Sequence, residues 1–190
     1  KKPILINDLK LIINVIDEEN QSEKRKIRDR AIILVGFSGG FRRSELVNIE
    51  YEDVEFVTEG VKIFVKRSKT DQSGEGMTKG IPYFSNPEYC PVLSLKNWLN
   101  KSKIKEGRIF NISDKSVALI IKKYASLAGL DEKNYAGHSL RSGFATSAAE
   151  LGAEERSIMA MTGHKTTQMV RRYIQEANLF KNNALNKIKI

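Results

Sequence analysis

The sequence predicts an α+β fold, mostly α, in which a helical body carries a small antiparallel β-sheet. A change of period predicts it. Apolar residues recur at helical spacing through the first 47 residues and again from residue 91 onward, whereas between residues 54 and 83 they alternate with polar ones. Glycine or proline marks the joints, at 39–40, across 71–80, at 91 and at 129. With 190 residues, no internal repeat and no low-complexity linker, the chain fits one domain large enough to bury a core without staples.

Leu9, Ile12, Ile13 and Ile16 form the stripe of a first short helix, with Asn7-Asp8 as its cap. A second helix over 24–38 buries Ile27, Ala31, Leu34 and Val35 on one face and breaks at Gly39-Gly40; a short helix then carries Arg42 through Val47. Val57, Val61, Ile63 and Val65 alternate with polar residues, and Ile81 and Tyr83 follow a glycine-rich turn over 71–80, giving two or three strands. Pro91 opens a helix through Leu93, Leu95 and Leu99, with Trp98 packed on the core. Val117, Ile120, Ile121, Tyr124 and Ala128 make the stripe of the next helix, stopped by Gly129, and three more helices are expected over 140–151, 154–161 and 166–178. In the tail, Phe180, Ala184 and Ile188 stand four apart with Leu185 beside them, a face for the domain itself or for a neighbour.

A net charge of +9 and a pI near 9.6 favour a polyanionic partner, nucleic acid before anionic membrane, against the plainer role of a lysine-rich surface in solubility. The single Cys90 excludes an internal disulfide and offers no metal spacing. A zinc site from Cys90, His138 and His164 fails because no two are at ligand spacing and a fourth is missing. No apolar run approaches 18 residues and no basic-then-apolar leader is present, so a cytoplasmic protein without membrane contact is expected.

Both histidines fall in one carboxy-terminal set: His138-Ser139-Leu140-Arg141, then Gly163-His164, then Tyr173 nine residues beyond His164. Far upstream stands Phe41-Arg42-Arg43-Ser44-Glu45-Leu46. Cations, imidazoles and one phenol suit attack on a phosphodiester, which needs its charge neutralised, a nucleophile, and an acid for the departing oxygen. Arginine suits the first task because its planar fork matches phosphate oxygens. His138 and Arg141, three apart, share one helical face and can meet the same phosphate.

Gly40-Phe41-Arg42-Arg43-Ser44-Glu45-Leu46, a lysine in a β-hairpin, His138-x-x-Arg141, Gly163-His164 and Tyr173, in that order, resemble the catalytic domain of the tyrosine recombinase (phage integrase) family. The resemblance covers nearly the whole chain. It implies that Tyr173 attacks the scissile phosphate of double-stranded DNA, joins covalently to the 3′ end and releases a 5′ hydroxyl. It gives His138 the tyrosine's proton and gives Arg42, Arg141 and His164 the charge of the transition state. Glu45 would orient Arg42, and Lys69 in the hairpin would protonate the leaving oxygen, with Lys66 and Lys79 as competitors. Arg43, Arg171 and Arg172 are candidate contacts to the DNA backbone. No cofactor and no metal are implied.

The resemblance also implies a division into a catalytic domain over 1–178 and a tail over 179–190 that docks on a neighbouring protomer. The family's amino-terminal DNA-binding domain is expected to be absent from this chain. A tetramer on paired DNA sites is expected for a full-length protein and a monomer for this chain. Two rivals stay open: a relaxase like the type IB topoisomerases, and a non-catalytic DNA-binding module of the same fold.

Overall fold

The structure, a computed structural model, describes residues 1–66, 75–181 and 183–188. Helix α1 (Ile6–Glu18) buries Leu9, Ile12, Ile13 and Ile16, as the stripe predicts. It starts earlier than its expected cap: Leu5 is the N-cap residue, and Asn7 and Asp8 lie in the first turn. Asp8 instead accepts a 2.9 Å hydrogen bond from the Tyr135 hydroxyl, a tertiary contact no local pattern announces.

Helix α2 (Glu23–Ser38) is the central strut. Every residue from Ala31 to Ser38 is buried, not one face alone. Helices α1, α4 (Pro91–Ser102), α5 (Asp114–Leu127) and α6 (Ser139–Glu150) all pack on it, and a helix apolar on every side belongs in a core. Near its start the buried Asp29 accepts from Arg28 Nε and from the Tyr124 hydroxyl, both at 2.9 Å. Helix α3 (Arg43–Val47) follows the Gly39-Gly40 break.

Strands β1 (Val54–Val57), β2 (Gly60–Val65) and β3 (Met77–Pro82) form one antiparallel sheet in sequence order. Val61, Ile63, Val65 and Ile81 point into the core. The third strand begins sooner than the glycines suggest. Gly80 lies within it, opposite Lys62 on the exposed face, where a missing side chain leaves no hole in the core. Lys79 therefore takes an inward position, paired with Ile63 and 1% exposed.

Trp98 of α4 stacks on Phe110 at 6.4 Å and donates to the Ile109 carbonyl at 2.7 Å. In α5, capped by Ser113, the buried residues are Val117, Ile121, Tyr124 and Ala125. After α6 come α7 (Glu155–Thr162) and α8 (Thr167–Asn178), which join it around a small second cluster of Ala145, Ala149, Ile158 and Val170. The start of the chain is laced to α6: Ile4 N donates to Ser139 O at 2.9 Å, and the absent side chain of Gly143 lets the two backbones touch. Among the described residues, no helix is long and apolar enough to cross a membrane.

Candidate active site

The site is built on the Gly39-Gly40 turn. Gly40 has φ +55, and a Cβ there would lie 3.0 Å from Phe144 and 3.2 Å from Thr162, so both conformation and space call for glycine. The two carbonyls of the turn face cations. Lys79 Nζ, brought in by β3, donates to Gly39 O at 2.8 Å and Gly40 O at 3.5 Å and lies 4.3 Å from the centre of the Phe41 ring. Arg141, on the first turn of α6, donates from Nη1 to Gly40 O at 2.9 Å.

Arg42 stands at the head of α3 and is gripped twice by Glu45. Its backbone N–H donates to Oε2 at 2.9 Å and its Nη1 to Oε1 at 2.6 Å. The first bond is the reciprocal half of a capping box, so Glu45 both closes the start of the helix and orients the guanidinium. The same carboxylate lies 3.8 Å from Lys79. Burial opposes the charge on Glu45, but Lys79 and the bonds from Arg42 prevail and hold it below the usual carboxyl range.

Burial disfavours the charge on these cations, and they repel one another. Burial, with Arg141 and Arg42 nearby, pulls Lys79 down to about 8 against the opposing pull of Glu45. Burial and then Arg42 bring Arg141 to about 10, which leaves it charged at neutral pH. Arg141 is 2% exposed, yet its Nη2 has no hydrogen-bond partner among the described residues. Such a group costs stability unless a ligand satisfies it.

The imidazoles and the phenol converge on this cationic core. His138 is the N-cap residue of α6 and lines a cleft of about 260 Å³ with Arg42, Arg43, Ser44, Asp114 and Gly137. Burial, then Arg141 and Arg42, lower its pKa. His164 follows Gly163, whose φ of +66 closes α7, and its Nδ1 lies 2.7 Å from Thr162 Oγ1. Burial, then Arg141 and Arg42, push it down to about 4. Tyr173, on α8, is half-buried against the second cluster; burial raises its pKa, and Arg141 pulls it back. Arg42, His138, Arg141, His164 and Tyr173, which the sequence spreads over 132 positions, are thus electrostatic neighbours.

The remaining candidates are placed differently. Lys69 falls outside the described residues. Lys66 is bound to Glu50 and lies 3.4 Å from Asp53. Arg43 lines the His138 cleft, 4.0 Å from Asp114, whereas Arg171 donates to Glu155 at 3.2 Å and Arg172 to Glu176 at 3.0 Å, both exposed. Cys90 is buried and accepts from Phe84 N at 3.4 Å, and no group of acidic, histidine or cysteine side chains among the described residues could hold a metal ion. Two supporting roles escape a reading by motif. Lys79 is betrayed only by its register with the apolar strand β2, and Thr162 only by standing before a Gly-His pair at a helix end.

Residues 4–179 match the phage integrase family. The chain belongs to that family. It is 50% identical over 200 residues to an integrase/recombinase xerD homolog of Selenomonas ruminantium, a match that takes in 99% of this chain and 58% of the relative. It is 31% identical over 202 residues to the tyrosine recombinase XerA of Pyrococcus furiosus, covering 95% of this chain and 63% of that one. The chain therefore spans little more than half the length of the first of these. The fold is likewise shared. The crystal structure of XerA recombinase superposes with a TM-score of 0.73 at 20% identity, over all of this chain and 65% of that one. XerH site-specific recombinase, solved on its difH substrate before cleavage, gives 0.74 at 18% identity, over 96% of this chain and 55% of that one. The predicted α+β architecture and the family resemblance are both borne out.

Proposed function

We propose that this chain is the part of a site-specific recombinase that cuts and rejoins double-stranded DNA through a covalent 3′-phosphotyrosine. The observation that carries the reading is the buried guanidinium of Arg141, fixed by Gly40 O on one nitrogen and unpartnered on another, beside Arg42 and within the field of Tyr173. An anion between the two arginines would satisfy both, and a phosphodiester has the paired oxygens their forks fit.

In this reading the Tyr173 oxygen attacks phosphorus while its proton passes to His138, which its lowered pKa keeps neutral and able to accept at neutral pH. Arg42, Arg141 and His164 hold the non-bridging oxygens. The bond to the 5′ oxygen breaks, and that oxygen takes a proton from a hairpin lysine; Lys69 keeps this role, since Lys66 is paired with acids and Lys79 is bound to the Gly39-Gly40 turn. Glu45 and Lys79 support Arg42. The phosphotyrosyl ester conserves the bond energy, so attack by another 5′ hydroxyl restores Tyr173 and seals the strand. Side chains supply the positive charge, and the reading assigns no cofactor or metal.

The net charge of +9 would carry the DNA backbone, with Arg43, Arg171 and Arg172 among its contacts. The residues over 1–178 act as the catalytic domain. Beyond them Phe180, Leu185 and Ile188 are exposed, Phe180 to 85%, and we assign this face to docking on the next protomer of a tetramer on paired sites. The decisive assay uses a DNA duplex nicked near the cleavage point, so that a cut strand diffuses away. An SDS-stable protein–DNA adduct is expected with the wild type and none with Tyr173→Phe. An adduct that persists in that variant refutes the assignment, and no adduct from the wild type on relaxed or specific duplexes would leave a DNA-binding module.

A further inference from the structure

Thr162 is fully buried at the end of α7, with its methyl toward the Gly40 turn and its hydroxyl between two acceptor-sized neighbours. Oγ1 lies 2.7 Å from the carbonyl of Ile158 and 2.7 Å from Nδ1 of His164. A hydroxyl has a single proton. The Ile158 carbonyl can only accept, so that proton is committed to it. At 2.7 Å the threonine oxygen and Nδ1 cannot face each other with two lone pairs, so Nδ1 must carry a hydrogen and donate to Oγ1. The neutral ring is then bare at Nε2.

We infer that Thr162 is a positioning residue that locks His164 in its Nδ1–H form and turns Nε2 toward the phosphate. His164 then offers the site one nitrogen in one orientation, and it donates to a phosphate oxygen only after Nε2 gains a proton. The left-handed Gly163 makes the contact possible, because it folds the ring of His164 back over the helix end that carries Thr162. The inference rests on the cleavage reading for the role of Nε2, but the tautomer stands apart from it.

The test joins two measurements on the chain and on Thr162→Ser and Thr162→Val. Long-range ¹H–¹⁵N spectra near neutral pH report which ring nitrogen of each histidine is protonated, and a His138→Gln sample assigns the two rings. His164 is expected as Nδ1–H in the wild type and in Thr162→Ser, and to lose that form in Thr162→Val. Adduct formation on the nicked duplex is expected to slow roughly 10–100-fold in Thr162→Val, the range seen when an imidazole loses its orienting partner at a metal site, and to recover in Thr162→Ser. An Nε2–H ring in the wild type, an unchanged ring in Thr162→Val, or a changed ring with an unchanged rate each overturns the inference. If no variant and no wild type forms an adduct, the cleavage reading fails and the spectra alone decide the lock.

Discussion

Replacing Lys79 by methionine should alter how stability responds to pH. The ammonium of Lys79 is buried with two carbonyls, one carboxylate and two guanidinium neighbours, and its pKa falls from 10.5 to about 8. A cation whose folded pKa is depressed is destabilising while it is charged. Below pH 8 lysine is protonated in both states and the folded state bears the cost of burying it. As pH rises from about 8 toward 10.5 the unfolded chain still holds the proton that the folded chain has released, so stability rises. With those two pKa values the gain between about pH 7.5 and pH 9.5 is on the order of 2 kcal/mol. The window isolates Lys79. His138 and His164 have lowered pKa values and act below it, Arg141 shifts only to about 10, and Tyr135 is raised to about 12 and acts above it.

Urea unfolding followed by the fluorescence of Trp98, buried against Phe110, measures the difference directly. The wild type should gain about 2 kcal/mol across the window, and Lys79→Met should be flat. A wild type with no pH response, or a methionine variant that rises in parallel, would show that burial does not depress the pKa of Lys79. The argument linking it to Glu45 and to Arg42 would fall with it.

Two further outcomes follow from charge and packing. Affinity for duplex DNA should fall steeply between about 50 and 200 mM salt, by roughly 10³–10⁵ if six to ten phosphates are neutralised, and a flat response in a filter-binding or anisotropy titration would remove the backbone as the main contact. Gly143→Ala should destabilise the chain by roughly 1–3 kcal/mol in the same urea assay, because its Cβ would sit 2.0 Å from the Ile4 carbonyl, a backbone atom that cannot rotate away; stability equal to wild type would mean that the first residues do not pack on α6.

Period and punctuation made most of the fold legible. Pro91 does open a helix, Gly129 follows the end of α5, and the last three helices begin and end within a residue of their predicted bounds. Harder to read were features fixed by partners far along the chain. Nothing near Ile32 and Ile33 says that neighbouring helices will bury the second side of α2 as well. Glycines 74, 76 and 80 read as one long turn, which leaves Lys79 a competitor for the acid's role, whereas its pairing with Ile63 drives it inward. In the site, motif spacing named the residues that meet, whereas the groups that hold them are carbonyls of Gly39 and Gly40 and a threonine hydroxyl, which leave no compositional mark.

The charge balance of the site explains why backbone carbonyls take that supporting part. Arg42, Lys79 and Arg141 face a single carboxylate, Glu45, and both imidazoles are pushed toward neutrality, so three cations against one anion leave two positive charges. A phosphodiester brings one negative charge; in the proposed reaction Tyr173 attacks as its proton passes to His138, so the second negative charge of the pentacoordinate stage arises together with a new imidazolium cation beside it. In that reaction the site would gain a positive charge as the phosphate gains a negative one, so their attraction would grow toward the transition state, the condition under which binding energy accelerates a reaction. Burial first, and then the neighbouring cations, lower the pKa values of Lys79 and Arg141. A second carboxylate could have anchored these cations, but it would have cancelled one of the two positive charges left in the site. The carbonyls of Gly39 and Gly40 fix Lys79 and Arg141 in place as dipoles and leave their charge to the ligand.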